Sequence, residues 1–141
     1  MKSILSPSDQ PDRILYTMIR VNNLERALAF YCGLLGMREL RRETFTDAQF
    51  TLVFVGYDKT ALIELTYNLD EREYTHGNGY GHMALEVTDI YATCKALASA
   101  DVEIIRPPGP MKMAPDETGV REVIAFIADP DGYRIELIER A

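Results

Sequence analysis

The sequence is short of positive charge and has no long apolar run, and each shortage excludes a class of partner. Lys and Arg number 15 against 22 Asp and Glu, so the formal net charge is -7 at pH 7. Nucleic acids and anionic membranes are bound through clustered Lys and Arg, so neither is expected as the main partner. No apolar run approaches the ~20 residues that a membrane span needs. A small-molecule ligand is therefore the default expectation.

Cysteine is also scarce. Cys32 and Cys94 fall in predicted helices among apolar residues, and neither belongs to a C-x-x-C pattern. Such residues are typical of buried free thiols in a reducing compartment, so a cytoplasmic location is expected. Residues 1–12 are rich in Ser, Pro and Asp and lack the apolar core of a signal peptide, which indicates a mobile leader.

The rest of the chain predicts two copies of one βαβββ module, at residues 13–78 and 79–141. Helix starts are indicated by Asn22-Asn23 and Thr88-Asp89, which are capping residue types, and Gly36 ends the first helix. The first module is predicted to contain strands at 14–21, 38–42, 50–55 and 61–67 and a helix at 24–35. The second is predicted to contain strands at 81–87, 102–106, 123–128 and 133–138 and a helix at 90–100.

Aligning the two copies superposes Tyr16 on His82 and Glu64 on Glu136. Side chains alternate along a strand, so Glu64 shares its face with Leu62 and with two polar residues, Thr66 and Asn68. A lone carboxylate in such a run costs several kcal/mol to bury unless something compensates its charge. Two carboxylates and an imidazole at matched strand positions therefore indicate a bound divalent cation in octahedral geometry.

Each of these side chains also has a plainer interpretation. His82 fits a hydrogen-bonded core histidine, and Glu64 or Glu136 fits one half of an ion pair with arginine. The joint placement of the three at equivalent positions favours the metal site.

Over about residues 13–140 the chain resembles the glyoxalase I (lactoylglutathione lyase) family of the vicinal-oxygen-chelate superfamily. The segments that carry the resemblance are the strand Tyr16 to Val21, Ala29-Phe30-Tyr31, Leu35-Gly36-Met37, Phe54-Val55-Gly56-Tyr57, Ile63-Glu64-Leu65-Thr66-Tyr67-Asn68, Gly79-Tyr80-Gly81-His82, Ile124-Ala125-Phe126, Asp129-Pro130-Asp131-Gly132-Tyr133 and Ile135-Glu136-Leu137.

The resemblance implies an α+β fold of two tandem βαβββ modules and an intertwined homodimer whose metal site lies between modules of two chains. It implies that the hemithioacetal of glutathione and methylglyoxal is isomerised to S-lactoylglutathione, which detoxifies methylglyoxal. The implied metal is Ni, or else Zn or Co.

By the same resemblance each position of the site has an implied role. Glu64, His82 and Glu136 would be metal ligands, and Glu136 would double as the catalytic base. Arg20 and Asn68 would hold the γ-glutamyl end of glutathione, while Lys112, and more weakly Arg106, would face its glycyl carboxylate. A solvated loop is the alternative for the last two.

Two features depart from the family. Position 16, where the resemblance implies His or Gln, carries Tyr16. A phenol in water ionises only near pH ~10, so it is a weak ligand at neutral pH, and a weakened or retuned enzyme is expected. Tyr16 alternatively packs beside Met18 as core, and His76 is a candidate for the missing nitrogen. The Pro-rich segment 107–121 exceeds the family's usual loop, and such loops tend to be lids or disordered.

Two alternatives to a lyase remain open. One is a protein of this fold that sequesters ligands without chemistry, and the other is a different vicinal-oxygen-chelate enzyme, either a dioxygenase or an epimerase. The three retained ligand types argue against the former. Arg20 and Asn68, which match glutathione-binding positions, argue against the latter.

Overall fold

The computed structural model describes residues 1–70 and 73–141, and its strands form two four-stranded sheets. The strands of the first sheet are β1 (Tyr16–Val21), β2 (Arg38–Phe45), β3 (Phe50–Gly56) and β4 (Leu62–Asn68), and those of the second sheet are β5 (Met83–Val87), β6 (Ile104–Pro110), β7 (Val123–Ala128) and β8 (Arg134–Glu139). The orders are β1-β4-β3-β2 and β5-β8-β7-β6. In each sheet the first strand pairs in parallel with the last, and the other pairs are antiparallel. The predicted α+β tandem fold is confirmed.

One helical segment follows the first strand of each sheet, as predicted. Helix α1 (Leu24–Leu28) begins where the Asn23 side chain accepts a hydrogen bond from the Arg26 N–H, at 3.0 Å. Helix α2 (Ile90–Ser99) begins in the same way at Asp89, whose Oδ1 accepts from the Ala92 N–H at 3.1 Å. These side chains satisfy backbone donors that a helix start leaves without partners.

The predicted first helix differs from a regular α-helix in its second half. Residues Ala29–Leu34 form π-helical turns, which end before Gly36 with its φ of +75°. The wider turn accommodates two consecutive aromatic side chains, Phe30 and Tyr31, which are both buried and meet edge to face at 5.0 Å. Periodicity in the sequence predicted the helix but not this widening.

A single hydrophobic core joins the two halves, because buried side chains of both sheets and of both helical segments contact one another. The first sheet contributes Ile19, Val21, Ile63 and Leu65, the second contributes Ile127, Ile135 and Leu137, and α2 contributes Ile90 and Leu97. Fully burying one such side chain stabilises the fold by roughly 1.5–3 kcal/mol. We call the opposite side of each sheet its outer face.

The predicted loop at 107–121 is shorter than expected. Strand β6 extends to Pro110, where Gly109 and Pro110 pair with β7 after register shifts on both sides of Arg106. The Met111 N–H then donates to the carbonyl of Glu122, and a turn at 115–119 ends in Gly119, whose φ is +65°. The segment is therefore an extended hairpin.

The N-terminal residues contain one 3₁₀ turn, Pro7–Asp9, in which the Ser6 hydroxyl donates to Asp9 at 2.6 Å. The structure does not test whether residues 1–12 are mobile, so that mobility remains a prediction. Among the described residues, no helix is both long and apolar enough to cross a lipid bilayer.

Candidate active site

Glu64 lies on the outer face of the first sheet, at the centre of a row that crosses all four strands. Its neighbours in register are Met18 on β1 and Phe54 on β3, and Phe54 in turn pairs with Arg41 on β2. The Glu64 residue is only 8% exposed, and its Oε2 accepts a hydrogen bond from the Thr66 hydroxyl at 2.9 Å. The predicted shared face of Glu64 and Thr66 is confirmed. A carboxylate this deeply covered needs a further positive partner.

Tyr16 lies on the same outer face, two residues before Met18. Its ring meets the Phe54 ring edge to face, with centroids 4.9 Å apart, and 41% of the residue is exposed. On the far side of Phe54, the Arg41 guanidinium lies over the ring at 4.1 Å from its centroid. Phe54 thus contacts both the Tyr16 phenol and the Arg41 guanidinium. Its contact with Tyr16 holds the Tyr16 ring on the outer face, beside the strand that carries Glu64.

The second sheet repeats this arrangement with a direct contact between two ligand-type side chains. His82 Nε2 lies 3.2 Å from Glu136 Oε1, and the side chains are 39% and 16% exposed. The His82 ring meets Phe126 edge to face at 5.0 Å, as Tyr16 meets Phe54. The sequence alignment of Tyr16 with His82 and of Glu64 with Glu136 therefore holds in three dimensions.

The four positions thus form two half-sets, one on each sheet. Within the described part of one chain, no three His, Cys, Asp or Glu side chains gather as a metal-binding group. An imidazole with carboxylates is a donor set that suits a divalent ion, so the residue types fit a metal. The predicted completion of these half-sets by a second copy of the chain stays a prediction.

The two residues implied for the γ-glutamyl end lie further along the same outer face. Arg20 on β1 is exposed and pairs in register with Thr66. Asn68 on β4 is half-buried, and its Nδ2 donates to the Tyr74 hydroxyl at 3.0 Å. Both are on the first sheet with Glu64, and their substrate contacts stay predictions.

The two cations implied for the glycyl carboxylate have different surroundings. Lys112 is exposed, just beyond the end of β6. The guanidinium of Arg106 donates to four backbone carbonyls, at 2.8–3.1 Å, which belong to Pro107, Gly109, Pro110 and Ile124. These bonds hold the irregular part of β6 together. The geometry favours a structural role for Arg106, while its predicted substrate contact stays untested.

The sequence did not predict a cluster around the turn between β7 and β8. Asp129 is 5% exposed and its Oδ2 accepts from the Tyr31 hydroxyl at 2.6 Å. Burial raises the pKa of Asp129, against the hydrogen bonds from Tyr31 and from two backbone N–H groups that lower it. Burial, followed by the charge of Asp129, raises the pKa of Tyr31, so the phenol stays protonated. The turn motif was recognised in the sequence, but its long-range partner left no local signal.

His76, the candidate for a missing nitrogen, belongs to an aromatic group beside this turn. Its ring stacks on Tyr133 with centroids 4.0 Å apart and an interplanar angle of 11°. Tyr80 meets both rings edge to face, at 5.5 and 6.0 Å. These contacts account for the placement of His76 without a metal, and its role as a ligand stays a prediction.

Both thiols are free, as predicted, but only one of them is fully buried. Cys94 is buried, Cys32 is half-buried, and both are free. Burial raises the pKa of each thiol, with a further contribution from the charge of Glu39 at Cys32. Neither thiol is activated as a nucleophile at neutral pH.

Two fused βαβββ modules, with carboxylates at equivalent strand positions and an imidazole beside one of them, define a protein of the vicinal-oxygen-chelate class. Residues 13–137 match the model of the Glyoxalase/Bleomycin resistance protein/Dioxygenase superfamily, and the chain belongs to that family.

Named relatives cover nearly the whole chain. The chain is 49% identical over 129 residues to a probable lactoylglutathione lyase of Synechocystis, covering 89% of this chain and 94% of the relative. It is 47% identical over 131 residues to a lactoylglutathione lyase of Neisseria meningitidis, covering 91% of each.

Solved structures give the same family. Glyoxalase I from Leishmania major, described as trypanothione-dependent, superposes with a TM-score of 0.75 and 39% identity, over 92% of this chain and 87% of that one. Glyoxalase I from Zea mays gives a TM-score of 0.82 and 38% identity over 92% of this chain. This chain spans 45% of the maize protein's length.

Proposed function

We propose that this protein is a metal-dependent lactoylglutathione lyase of the glyoxalase I type. It isomerises the hemithioacetal of glutathione and methylglyoxal to S-lactoylglutathione. The observation that carries this proposal is the 3.2 Å contact between His82 Nε2 and Glu136 Oε1, at the positions of the second sheet that match Tyr16 and Glu64 of the first. The relatives named lactoylglutathione lyase support the same reaction.

The metal would be held between two copies of the chain. His82 and Glu136 of one copy would face Glu64 of the other, and either the phenol of Tyr16 or a water would complete the set at the fourth position. Support comes from Tyr16 and Met18, which leave 41% and 38% of their surface exposed on the outer face of the first sheet and would be covered in a homodimer. Ni is the first candidate, followed by Zn and Co, because imidazole and carboxylate together suit these ions.

Once bound, such a cation withdraws electron density from the substrate oxygens and so acidifies the adjacent C–H bond. Glu136 would take the proton from the carbon that bears the sulfur and return it to the neighbouring carbon, while the hydroxyl proton passes from the oxygen of the first carbon to the oxygen of the second. Of the two carboxylates, Glu136 is better placed for this transfer because its side chain is partly exposed. Glu64 is 8% exposed and one of its oxygens is held by Thr66, so it acts as a fixed ligand.

The remaining residues orient glutathione. Arg20 pairs with the carboxylate of the γ-glutamyl end, and Asn68, which Tyr74 holds in place, bonds to its polar groups. Lys112 faces the glycyl carboxylate. Arg106 shapes the segment that carries Lys112, because its guanidinium is bonded to the carbonyls of Gly109 and Pro110.

The setting of this activity is the cytoplasm, where it removes methylglyoxal. The two free thiols, Cys32 and Cys94, are compatible with a reducing compartment.

The test is an assay of purified protein that has been stripped with a chelator and reloaded separately with Ni, Zn or Co. We expect thioester formation from glutathione and methylglyoxal to be lost on stripping and restored by at least one of the three metals. Trypanothione is assayed in parallel, because the Leishmania relative is described as dependent on it. A protein that binds none of the three metals and turns over neither thiol would contradict the proposal and favour ligand sequestration.

A further inference from the structure

The turn between β7 and β8, at residues 129–133, reaches from the second module to the end of β1 in the first. Asp131 Oδ1 accepts from the backbone N–H and the side-chain Nδ2 of Asn22, at 3.0 and 2.9 Å. The Tyr133 hydroxyl donates to the carbonyl of Arg20 at 2.8 Å. Hydrogen bonds from the second module therefore hold the backbone at the end of β1, where Arg20 lies.

The turn is rigid enough to act as a fixed support. Asp129 Oδ1 accepts from the N–H groups of Asp131 and Tyr133, at 2.9 and 2.8 Å, and the Asp129 N–H donates to the Tyr133 carbonyl at 2.9 Å. Gly132 takes a φ of +86°, which other residues rarely adopt. The stack of His76 on Tyr133 fixes the direction of the phenol ring. Burial raises the pKa of Tyr133, so its hydroxyl keeps the proton that it donates.

Arg20 needs such a support because β1 is an edge strand. Only β4 pairs with β1 in the described structure, so the other side of β1 has no strand to hold it. Arg20 is the last residue but one of this strand, and its side chain is exposed. Strand ends with few partners open easily, and a guanidinium on such an end is poorly positioned.

In the first module, the described residues of the equivalent turn form no hydrogen bond with the other module. There the corresponding turn, at residues 57–61, bonds within its own module, since the Tyr57 hydroxyl donates to the Leu35 carbonyl at 2.6 Å. Between this turn and the start of α2 lies a groove of about 880 Å³. The residue equivalent to Arg20 is Glu86, which is paired instead with Arg140 at 3.1 Å. The hydrogen bonds between modules thus occur at the end of β1, the strand that carries Arg20.

We infer that Tyr133 is a positioning residue for glutathione binding, which acts by fixing the backbone of Arg20 so that its guanidinium meets the γ-glutamyl end. This inference rests on the proposed function. The second module would then have two roles. It would supply the metal ligands His82 and Glu136, and it would help to position Arg20 for substrate binding at the outer face of the first sheet.

The experiment compares Tyr133→Phe with the matched control Tyr57→Phe, which removes a tyrosine hydroxyl bond to a backbone carbonyl at the equivalent turn without touching Arg20. We expect Tyr133→Phe to raise KM for the glutathione hemithioacetal about fivefold, the equivalent of roughly one hydrogen bond, with kcat unchanged within about twofold. Tyr57→Phe should leave both constants at the wild-type values. Thermal unfolding of both variants controls for general loss of structure.

A binding measurement separates positioning from loosening of the fold. Tyr133→Phe should weaken S-methylglutathione by the same factor as KM, while binding of S-methylcysteinylglycine, which lacks the γ-glutamyl group, should not change. In an Arg20→Ala background, Tyr133→Phe should have no further effect. Asn22→Ala, which removes another bond at the same junction, should give a smaller change of the same kind.

The outcomes distinguish this inference from the proposed function. A wild-type enzyme that turns over the hemithioacetal, with a Tyr133→Phe variant of unchanged KM or equal losses for both probes, would overturn the inference alone. A wild-type protein that neither turns over the hemithioacetal nor binds S-methylglutathione would overturn both.

Discussion

The two sheets have the same strand order and the same aromatic contact, but they present different chemistry on their outer faces. In the second sheet the imidazole of His82 touches the carboxylate of Glu136, whereas in the first sheet the phenol of Tyr16 takes the imidazole's place and Glu64 bonds to Thr66. The shared fold thus fixes the position of each side chain, and the residue type at that position decides which ligand or proton-accepting group each sheet presents. One half offers a partly exposed pair and the other a buried carboxylate.

The largest expected effect comes from exchanging the two carboxylates for amides. Glu136→Gln should lower kcat about 10³-fold at saturating metal, because the amide cannot accept the proton that is transferred. Glu64→Gln removes a fixed ligand and should mainly weaken metal binding, with kcat at saturating metal within about tenfold of wild type. The measurements are steady-state kinetics and metal titration of both variants.

Equal losses of kcat in both variants would break the comparison, because the two carboxylates would then be equivalent. Loss of metal binding in Glu136→Gln alone, with kcat restored by excess metal, would assign the base to Glu64 instead.

The next effect concerns the two turns that close the modules. Asp129→Ala should lower the free energy of unfolding by about 3 kcal/mol, because it leaves the buried Tyr31 hydroxyl and two N–H groups without their acceptor. Asp58→Ala, in the exposed turn of the first module, should cost less than about 0.5 kcal/mol.

Urea unfolding of the two variants measures this difference. A cost for Asp58→Ala that matches that of Asp129→Ala would mean that the turn at 129–133 contributes no more to stability than its counterpart.

Most of the scaffold followed from the sequence, because it depends on local patterns. Runs of apolar and β-branched residues, together with turn chemistry and the internal repeat, predicted all eight strands, and the cap residues Asn23 and Asp89 predicted both helix starts. The internal repeat then placed Glu64 and Glu136 at equivalent positions of the two modules. Register within a strand fixes the face on which a side chain lies, so the outer-face positions were predictable too.

The contacts between modules were not predictable, because they join residues about a hundred positions apart. Nothing near Tyr133 in the sequence indicates that its hydroxyl bonds to the Arg20 carbonyl. Nor does the sequence near Arg106 indicate that its guanidinium bonds to backbone carbonyls of both β6 and β7. The sequence around a single donor or charged residue does not indicate which distant residue it will bond to. The departure at position 16 was visible in the sequence, but its effect on metal binding was not, because it depends on which groups surround the proposed metal.

The smallest effect, about tenfold, is expected from making the first half more like the second. Tyr16→His should raise metal affinity by about that factor and increase turnover, because a neutral imidazole is a better ligand at neutral pH than a phenol. The imidazole should fit without strain, since His82 already makes the same edge-to-face contact with Phe126 that Tyr16 makes with Phe54. Tyr91→His, at an exposed position on α2, is the matched control and should change neither quantity. Metal titration of the stripped protein measures the affinity. An unchanged affinity in Tyr16→His would place residue 16 outside the metal centre, which would leave the cation with Glu64, His82 and Glu136 alone.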